Sequence, residues 1–290
     1  MVAGIVIATL TSGFVYALLA SGMTLIFGVA HIVNLAHTAF YVVGAYFMWF
    51  FMRSLGWGGI ESIVVTVAAV TALGLLTYQF LLNRVRQHPQ AVLLITIALA
   101  MVFQEVLLTR FGSHLHIAPP LLVGNVKILG ITVEYQRLLI IGVVIAVMAI
   151  LWLFLSKTKL GIAIRATAND AEVANLMGIS VSKTLLMTMG IGTALAAIAA
   201  ALMAPLWVFY PYAWMAPLTM ILAIVVLGGL GSLKGSIIGA FIIALVETLV
   251  VFLIPEYGYL RTVIALLAMI IVLSVRPGGL FGIVFEEEKL

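Results

Sequence analysis

Apolar runs long enough to cross a lipid bilayer recur along this chain, and no other feature restricts its fold as much. Nine can be marked, roughly 3–28, 35–52, 62–82, 91–109, 138–155, 184–208, 216–231, 236–254 and 259–275. The runs 216–231 and 236–254 are short or interrupted by glycine, so the count stands at eight or nine spans. About 18–20 apolar residues at 1.5 Å each cross a hydrocarbon core of roughly 30 Å. Lipid offers backbone N–H and C=O groups no partner, so such runs fold as helices, which satisfy themselves. They lack the strict alternation of a barrel strand. Hydrophobic residues make up 65% of the chain and charged residues 8%, too little polar surface to cover a soluble globule. The expected fold class is all-α, a polytopic transmembrane helical bundle forming a single membrane domain over 1–290, embedded in membrane lipid.

Charge placement orients the bundle. Arg84 and Arg86 lie in one short loop, and Lys157, Lys159, Arg165 and Lys183 in another. Two helices separate these loops, so both fall on one side. Continued alternation adds Lys234, Arg276 and Lys289, leaving Arg53, Arg110, Lys127, Arg137 and Arg261 opposite. Basic residues concentrate on the cytoplasmic side, which predicts an external N-terminus and a cytoplasmic C-terminus. No Lys or Arg precedes Arg53. A cleaved signal peptide needs a basic leading region, so the first run is read as a retained helix. The turn Phe209–Trp214 (FYPYAW) predicts an aromatic belt at headgroup level, and the tail with Glu286–Glu288 predicts a solvated end. The last four runs follow the first four after an offset of five. An odd offset inverts their sense, which allows an inverted repeat of the transporter kind.

The longest polar interruption in the second half is 157–183. Within it, Asp170–Met177 predicts a short helix. Asn169 and Glu172 have the spacing of a capping box, and Gly178 suits a left-handed end. Val173, Leu176 and Met177 share one face, while Glu172 and Asn175 share another. Such a helix either docks a soluble partner or lies on the headgroups. In 31–38, Asn34 and His37 share a face if helical, with His31 three residues earlier. They line a broken-helix path or cap a cytoplasmic turn. Glu105 and Glu247 lie inside apolar runs, where a charge costs roughly 2.5–3.5 kcal/mol. They serve a polar path or carry protons, or they bridge helices. The block Gly228–Gly235 lacks the pattern of a nucleotide loop; its glycines, with Gly239, fit close helix packing. No arrangement of nucleophile and base supports enzymatic chemistry, no metal site is expected, and no basic stripe suggests nucleic acid.

Glu172-Val173-Ala174 followed by Gly178 fits E-A-A-x-x-x-G with valine at the middle alanine. With it, Tyr16–Tyr46 (YALLASGMTLIFGVAHIVNLAHTAFYVVGAY), Val226–Glu247 and Arg276–Gly282 (RPGGLFG) appear in the order found in branched-chain amino acid ABC transporter permeases of the LivH type, which the chain resembles over most of its length. The family usually reads close to I-N-F-A-H-G; here Leu35 replaces the Phe and Thr38 the Gly. The resemblance implies a permease subunit of an ATP-driven importer in a bacterial inner membrane. It implies a second permease chain, identical or homologous, two ABC ATPases and an external substrate-binding protein. Cofactors in this chain are expected to be none, with ATP bound by the partner subunits. The resemblance makes 157–183 a cytoplasmic coupling loop, with Asp170, Glu172, Val173, Ala174, Leu176, Met177 and Gly178 at the ATPase contact. Asn34, His37, Thr38, Glu105 and Glu247 are the candidates for the translocation pathway. Substrates would be branched-chain or other hydrophobic amino acids, or related small polar or aromatic solutes. The competing reading is a self-sufficient secondary transporter or channel, with Glu105 or Glu247 coupling protons.

Overall fold

A computed structural model describes residues 2–128 and 130–281; Lys289 and the three terminal glutamates lie outside the described residues. Every apolar run becomes a helix. In order they are α1 (Val2–Ala30), α2 (His37–Trp49), α3 (Gly59–Thr77) continued through a π-turn into α4 (Asn83–Val85), and α5 (Pro89–Phe111). α6 (Tyr135–Lys157), α7 (Lys159–Asn169), α8 (Ala171–Leu176), α9 (Val181–Met203), α10 (Met215–Gly228), α11 (Leu233–Leu253) and α12 (Arg261–Val275) follow. Among the described residues seven helices are long and apolar enough to cross a membrane. α2 and α10 fall short at 13 and 14 residues.

Burial sorts these helices into a centre and a rim. α1 is buried almost without interruption from Val15 to Ile26, and α9 nearly so from Thr193 to Met203. A helix apolar on every side belongs inside a bundle. Rim helices bury one narrow stripe instead. In α3 it is Ser62, Thr66, Val70, Gly74 and Thr77; in α5 it is Val92, Thr96, Ala100, Gln104 and Leu107. Spacings of three and four keep those residues on one helix face. Small and hydroxyl side chains recur in the stripes because helices in lipid associate through close packing rather than hydrophobic exclusion.

The packing follows the inverted offset. α1 packs on α11 as α9 packs on α3; α2 packs on α9 as α10 packs on α1; and α1 and α9 meet at the centre. In both halves the second helix is the short one. α1 ends at Ala30 and the chain turns at His31 (φ 54°). His37, at the start of α2, then bonds to the carbonyl of Leu19. Leu19 lies eleven residues before the end of α1, about 16 Å along its axis at 1.5 Å per residue. Residues 31–36 therefore run back into the bundle, and α2 starts inside it. In the second half α9 ends at Met203, just before Pro205, which has no N–H to continue the helical ladder. An irregular stretch then leads to α10.

That stretch corrects one expectation. Phe209 and Trp214 are buried rather than set in a surface belt, while Tyr210 and Tyr212 are exposed. Phe209 exchanges backbone hydrogen bonds of 2.9 Å with His116, and Ala118 donates to the carbonyl of Ala204. Trp214 Nε1 donates to Gln104 Oε1 at 2.8 Å. The all-α expectation also needs one addition. Within the long 112–134 connection, β1 (Asn125–Ile128) and β2 (Ile131–Glu134) pair antiparallel, with Asn125 opposite Glu134.

Candidate functional site: a clamped surface helix and buried polar residues

The helix ends gather at two faces. One carries the β-hairpin and is called the hairpin end; the other carries α7 and α8 and is called the loop end. At the loop end Thr158 caps α7 by accepting from Gly161 N at 3.0 Å. α7 buries Gly161, Ile164 and Thr167, residues three apart on one face, and Arg165 donates to the carbonyl of Leu155. α7 went unread in the sequence because Gly161 suggests a loop. Here the glycine faces the backbone of Phe154 and Leu155, where no Cβ fits.

α8 is held at both ends. Its cap is Asp170, not Asn169, which is the last residue of α7. Asp170 Oδ1 accepts from the N–H groups of Glu172 and Val173, both at 2.9 Å, pairing donors that a helix start leaves orphaned. At the other end Gly178 N–H donates to Asn175 O and Ile179 N–H to Ala174 O. That is the Schellman pattern with glycine in the left-handed position, and Gly178 has φ 84°. Ala174 is 3% exposed, whereas Val173, Leu176 and Met177 are 53%, 85% and 79% exposed. α8 rests on α9, so its apolar face points away from the protein.

Inside the bundle, Asn34 is buried and Oδ1 accepts from Ala36 N at 3.1 Å, closing the turn into α2, while its amide donates to Met189 Sδ at 3.6 Å. His37 and Thr38 are fully buried. His37 Nε2 donates to Leu19 O at 3.1 Å, and its Nδ1, Thr38 Oγ1 and Ser21 Oγ have no partner among the described residues. Thr24 and Ser236 hydroxyls pair at 2.5 Å between α1 and α11. Nearer the hairpin end Tyr16 OH donates to Glu247 Oε2 at 2.7 Å. A cavity of about 400 Å³ there is lined by Tyr16, Tyr41, Trp207, Glu247 and Arg261 among others. Asn34, His37, Thr38 and Glu247 are thus all buried inside the bundle. Glu105 does not join them: it is exposed on the outer face of α5 beside Met101, Val102 and Val106. Sequence reading missed Tyr16, Ser21, Thr24, Ser236 and Arg261. Tyr16 and the hydroxyls are ordinary in apolar helices, and only a fold shows which of them meet.

At the hairpin end His116 packs against the rings of Tyr46, Trp49 and Phe209. Burial holds its imidazole below the usual histidine range, against an opposing backbone hydrogen bond. The lowered value means the folded state prefers the neutral ring, so this contribution is complete above about pH 6.5 and fades as pH falls. Thermal unfolding should show the hairpin end loosening on acidification below that value. His116→Gln should flatten that part of the profile.

A model of the family described as the permease component of branched-chain amino acid transport systems matches residues 5–273. The chain is 31% identical to the high-affinity branched-chain amino acid transport permease BraD of Pseudomonas aeruginosa, with 94% of this chain and 93% of the relative aligned. It is 30% identical to LivH of Escherichia coli over 94% and 92% of the two chains. It is 28% identical to a probable LivH of Methanocaldococcus jannaschii over 94% and 90%. With its seven long apolar helices and paired half-helices in place, the chain belongs to the family of permease components of branched-chain amino acid transport systems.

Proposed function

We propose that this protein is the membrane-spanning permease subunit of an ATP-driven importer for branched-chain or other hydrophobic amino acids and related small solutes. The carrying observation is α8, a short helix clamped by Asp170 and Gly178 that holds Val173, Leu176 and Met177 out into solvent. Three exposed apolar side chains on a rigid surface element fit a groove on a soluble partner, here an ABC ATPase. Two ATPases bind the ATP, and a binding protein delivers substrate at the opposite face. Arg84, Arg86, Lys157, Lys159, Arg165, Lys183, Lys234 and Arg276 at the loop end support a cytoplasmic loop end and an external N-terminus.

Transport proceeds by alternating access. ATP favours one facing of the bundle only through a difference in binding free energy between its two states. Closure of the ATPases carries α8, and with it the base of α9, against which α2 is packed. The half-helices α2 and α10 are the elements that change facing. In the present arrangement His37 and Thr38, the pathway candidates at the start of α2, are fully buried. A second permease chain seats on α5. There Glu105 stands among apolar side chains, and lipid exposure of a carboxylate costs up to roughly 3 kcal/mol.

Gly178→Asp tests the coupling. A side chain in the left-handed region costs about 1–2 kcal/mol, enough to unravel the end of a six-residue helix. The variant should still copurify with ATPase subunits, at reduced yield, while ATP-driven uptake in proteoliposomes is lost. Uptake by this chain alone on a proton gradient would sink the proposal.

A further inference from the structure

We propose that the cavity between Tyr16 and Arg261 is a site for zwitterions, in which Glu247 takes the α-ammonium and Arg261 the α-carboxylate of an apolar amino acid. The site rests on the importer reading and adds to it the residues that recognise the substrate inside the membrane.

Glu247 is 8% exposed in the outer half of α11. Tyr16 supplies its one hydrogen bond among the described residues, to Oε2, which leaves Oε1 as an acceptor. Arg261, at the start of α12, lines the same cavity. The two groups are not directly paired. Arg137–Glu134 is the ion pair found among the described residues, so no nitrogen of Arg261 comes within 4.0 Å of Glu247. A buried carboxylate with a free oxygen and a nearby guanidinium across a gap is an unfilled pair of opposite charges. A simple cation is repelled by Arg261, and a simple anion by Glu247. A neutral apolar solute leaves the buried Glu247 oxygen unsatisfied, which is costly away from water. A molecule carrying both charges on neighbouring atoms satisfies both at once.

The walls specify the rest of the ligand. Tyr41, Trp207 and Phe209 line the cavity with ring surface. Its volume of about 400 Å³ lies at the small end of ligand sites, which run from about 300 to 1,000 Å³. Tyr41 sits one helical turn from His37 on α2, so the floor of the cavity adjoins the buried polar residues at the start of that helix.

The test uses the assembled complex in nanodiscs, without binding protein, and equilibrium binding of radiolabelled leucine. Leucinamide, which lacks the carboxylate, and 4-methyl-2-oxopentanoate, which lacks the ammonium, serve as competitors. Wild type should prefer leucine to both. Glu247→Gln should weaken leucine binding about ten- to hundredfold, as expected for loss of a charged hydrogen bond, and erase its advantage over the oxo acid. Arg261→Gln, on an exposed side chain, should erase its advantage over the amide. A merely structural Glu247 would lower yield without changing these preferences. Absence of saturable leucine binding at millimolar concentration in wild type, or unchanged preferences in both variants, overturns the site. ATP-driven leucine uptake by the same preparation with binding protein restored separates the two readings. Wild-type uptake in both variants removes the site and leaves the importer. No ATP-driven uptake of any amino acid by wild type removes the importer and the ligand assignment together.

Discussion

Replacing Leu176 and Met177 together by aspartate is expected to abolish ATP-driven uptake while leaving the membrane bundle folded. Both side chains are nearly fully exposed, so nothing in the protein loses packing when they change. Their removal is felt only where a partner covers them. Apolar anchors in a desolvated groove each contribute on the order of 2 kcal/mol or more, and a buried carboxylate without a counterion adds a further penalty. Two such changes should lower affinity for the ATPases by more than about a hundredfold. The ATPases should no longer copurify, while the variant's elution profile and melting temperature match wild type. Glu172→Gln and Asn175→Ala, on the other face of α8, should have small effects by comparison. Retained copurification and uptake in the double aspartate variant would show that the ATPases contact some other element.

The second large effect is structural. Gly235→Val should prevent assembly of a stable bundle, because the backbones of α10 and α11 touch at that point. A Cβ on Gly235 would meet the carbonyl of Gly228, and one on Gly228 would meet the carbonyl of Gly235. Neither neighbour is a flexible side chain that can turn away. Overpacking a tight core typically costs about 1–3 kcal/mol, and here the helices themselves must part. The turn after α12 is lost with them, since Leu280 and Phe281 donate to the carbonyls of Leu227 and Gly228. Gly142→Ala in α6 is the matched control. A Cβ there meets nothing, and glycine inside a helix costs roughly 0.5–1 kcal/mol relative to alanine, so that variant should melt at or above wild type. Melting of both variants in detergent, followed by light scattering or size exclusion, decides between these outcomes.

Long apolar runs were the most legible part of the sequence, because lipid leaves the backbone no alternative to helix. The glycines of the 228–239 block were read as packing residues; Gly228, Gly235 and Gly239 do pack against backbone, while Gly229 and Gly231 hold left-handed turn positions. Gly178 could be placed at the end of α8 for the same kind of reason: one residue type fits one backbone geometry. Legibility failed where two neighbours competed for one role. Asn169 and Asp170 both cap well, and only the path of the chain out of α7 selects Asp170. It failed again where position in the bundle decides. Glu105 and Glu247 look alike in sequence, yet one faces outward and the other bonds to Tyr16. The turn Phe209–Trp214 looked like a surface belt because its backbone pairing with His116 joins segments distant in sequence. The same distance hid Arg261, whose share in the cavity depends on how α12 sits against α11.

The inward start of α2 bears on how the protein is made. A ribosome delivers α1 and α2 long before α9, yet Asn34 and Met189, which meet in the folded bundle, are 155 residues apart. Until α9 arrives, residues 31–38 have α1 on one side only, and an irregular segment bare on its other side is not tolerated in hydrocarbon. The nascent chain must therefore hold α2 at the membrane surface or within the insertion machinery and seat it after synthesis has passed Met203. Long-range closure of this kind is slow. Newly made protein should pass through a stage in which His37 and Thr38 are still open to water-soluble labels, and that accessibility should vanish once the second half has been inserted.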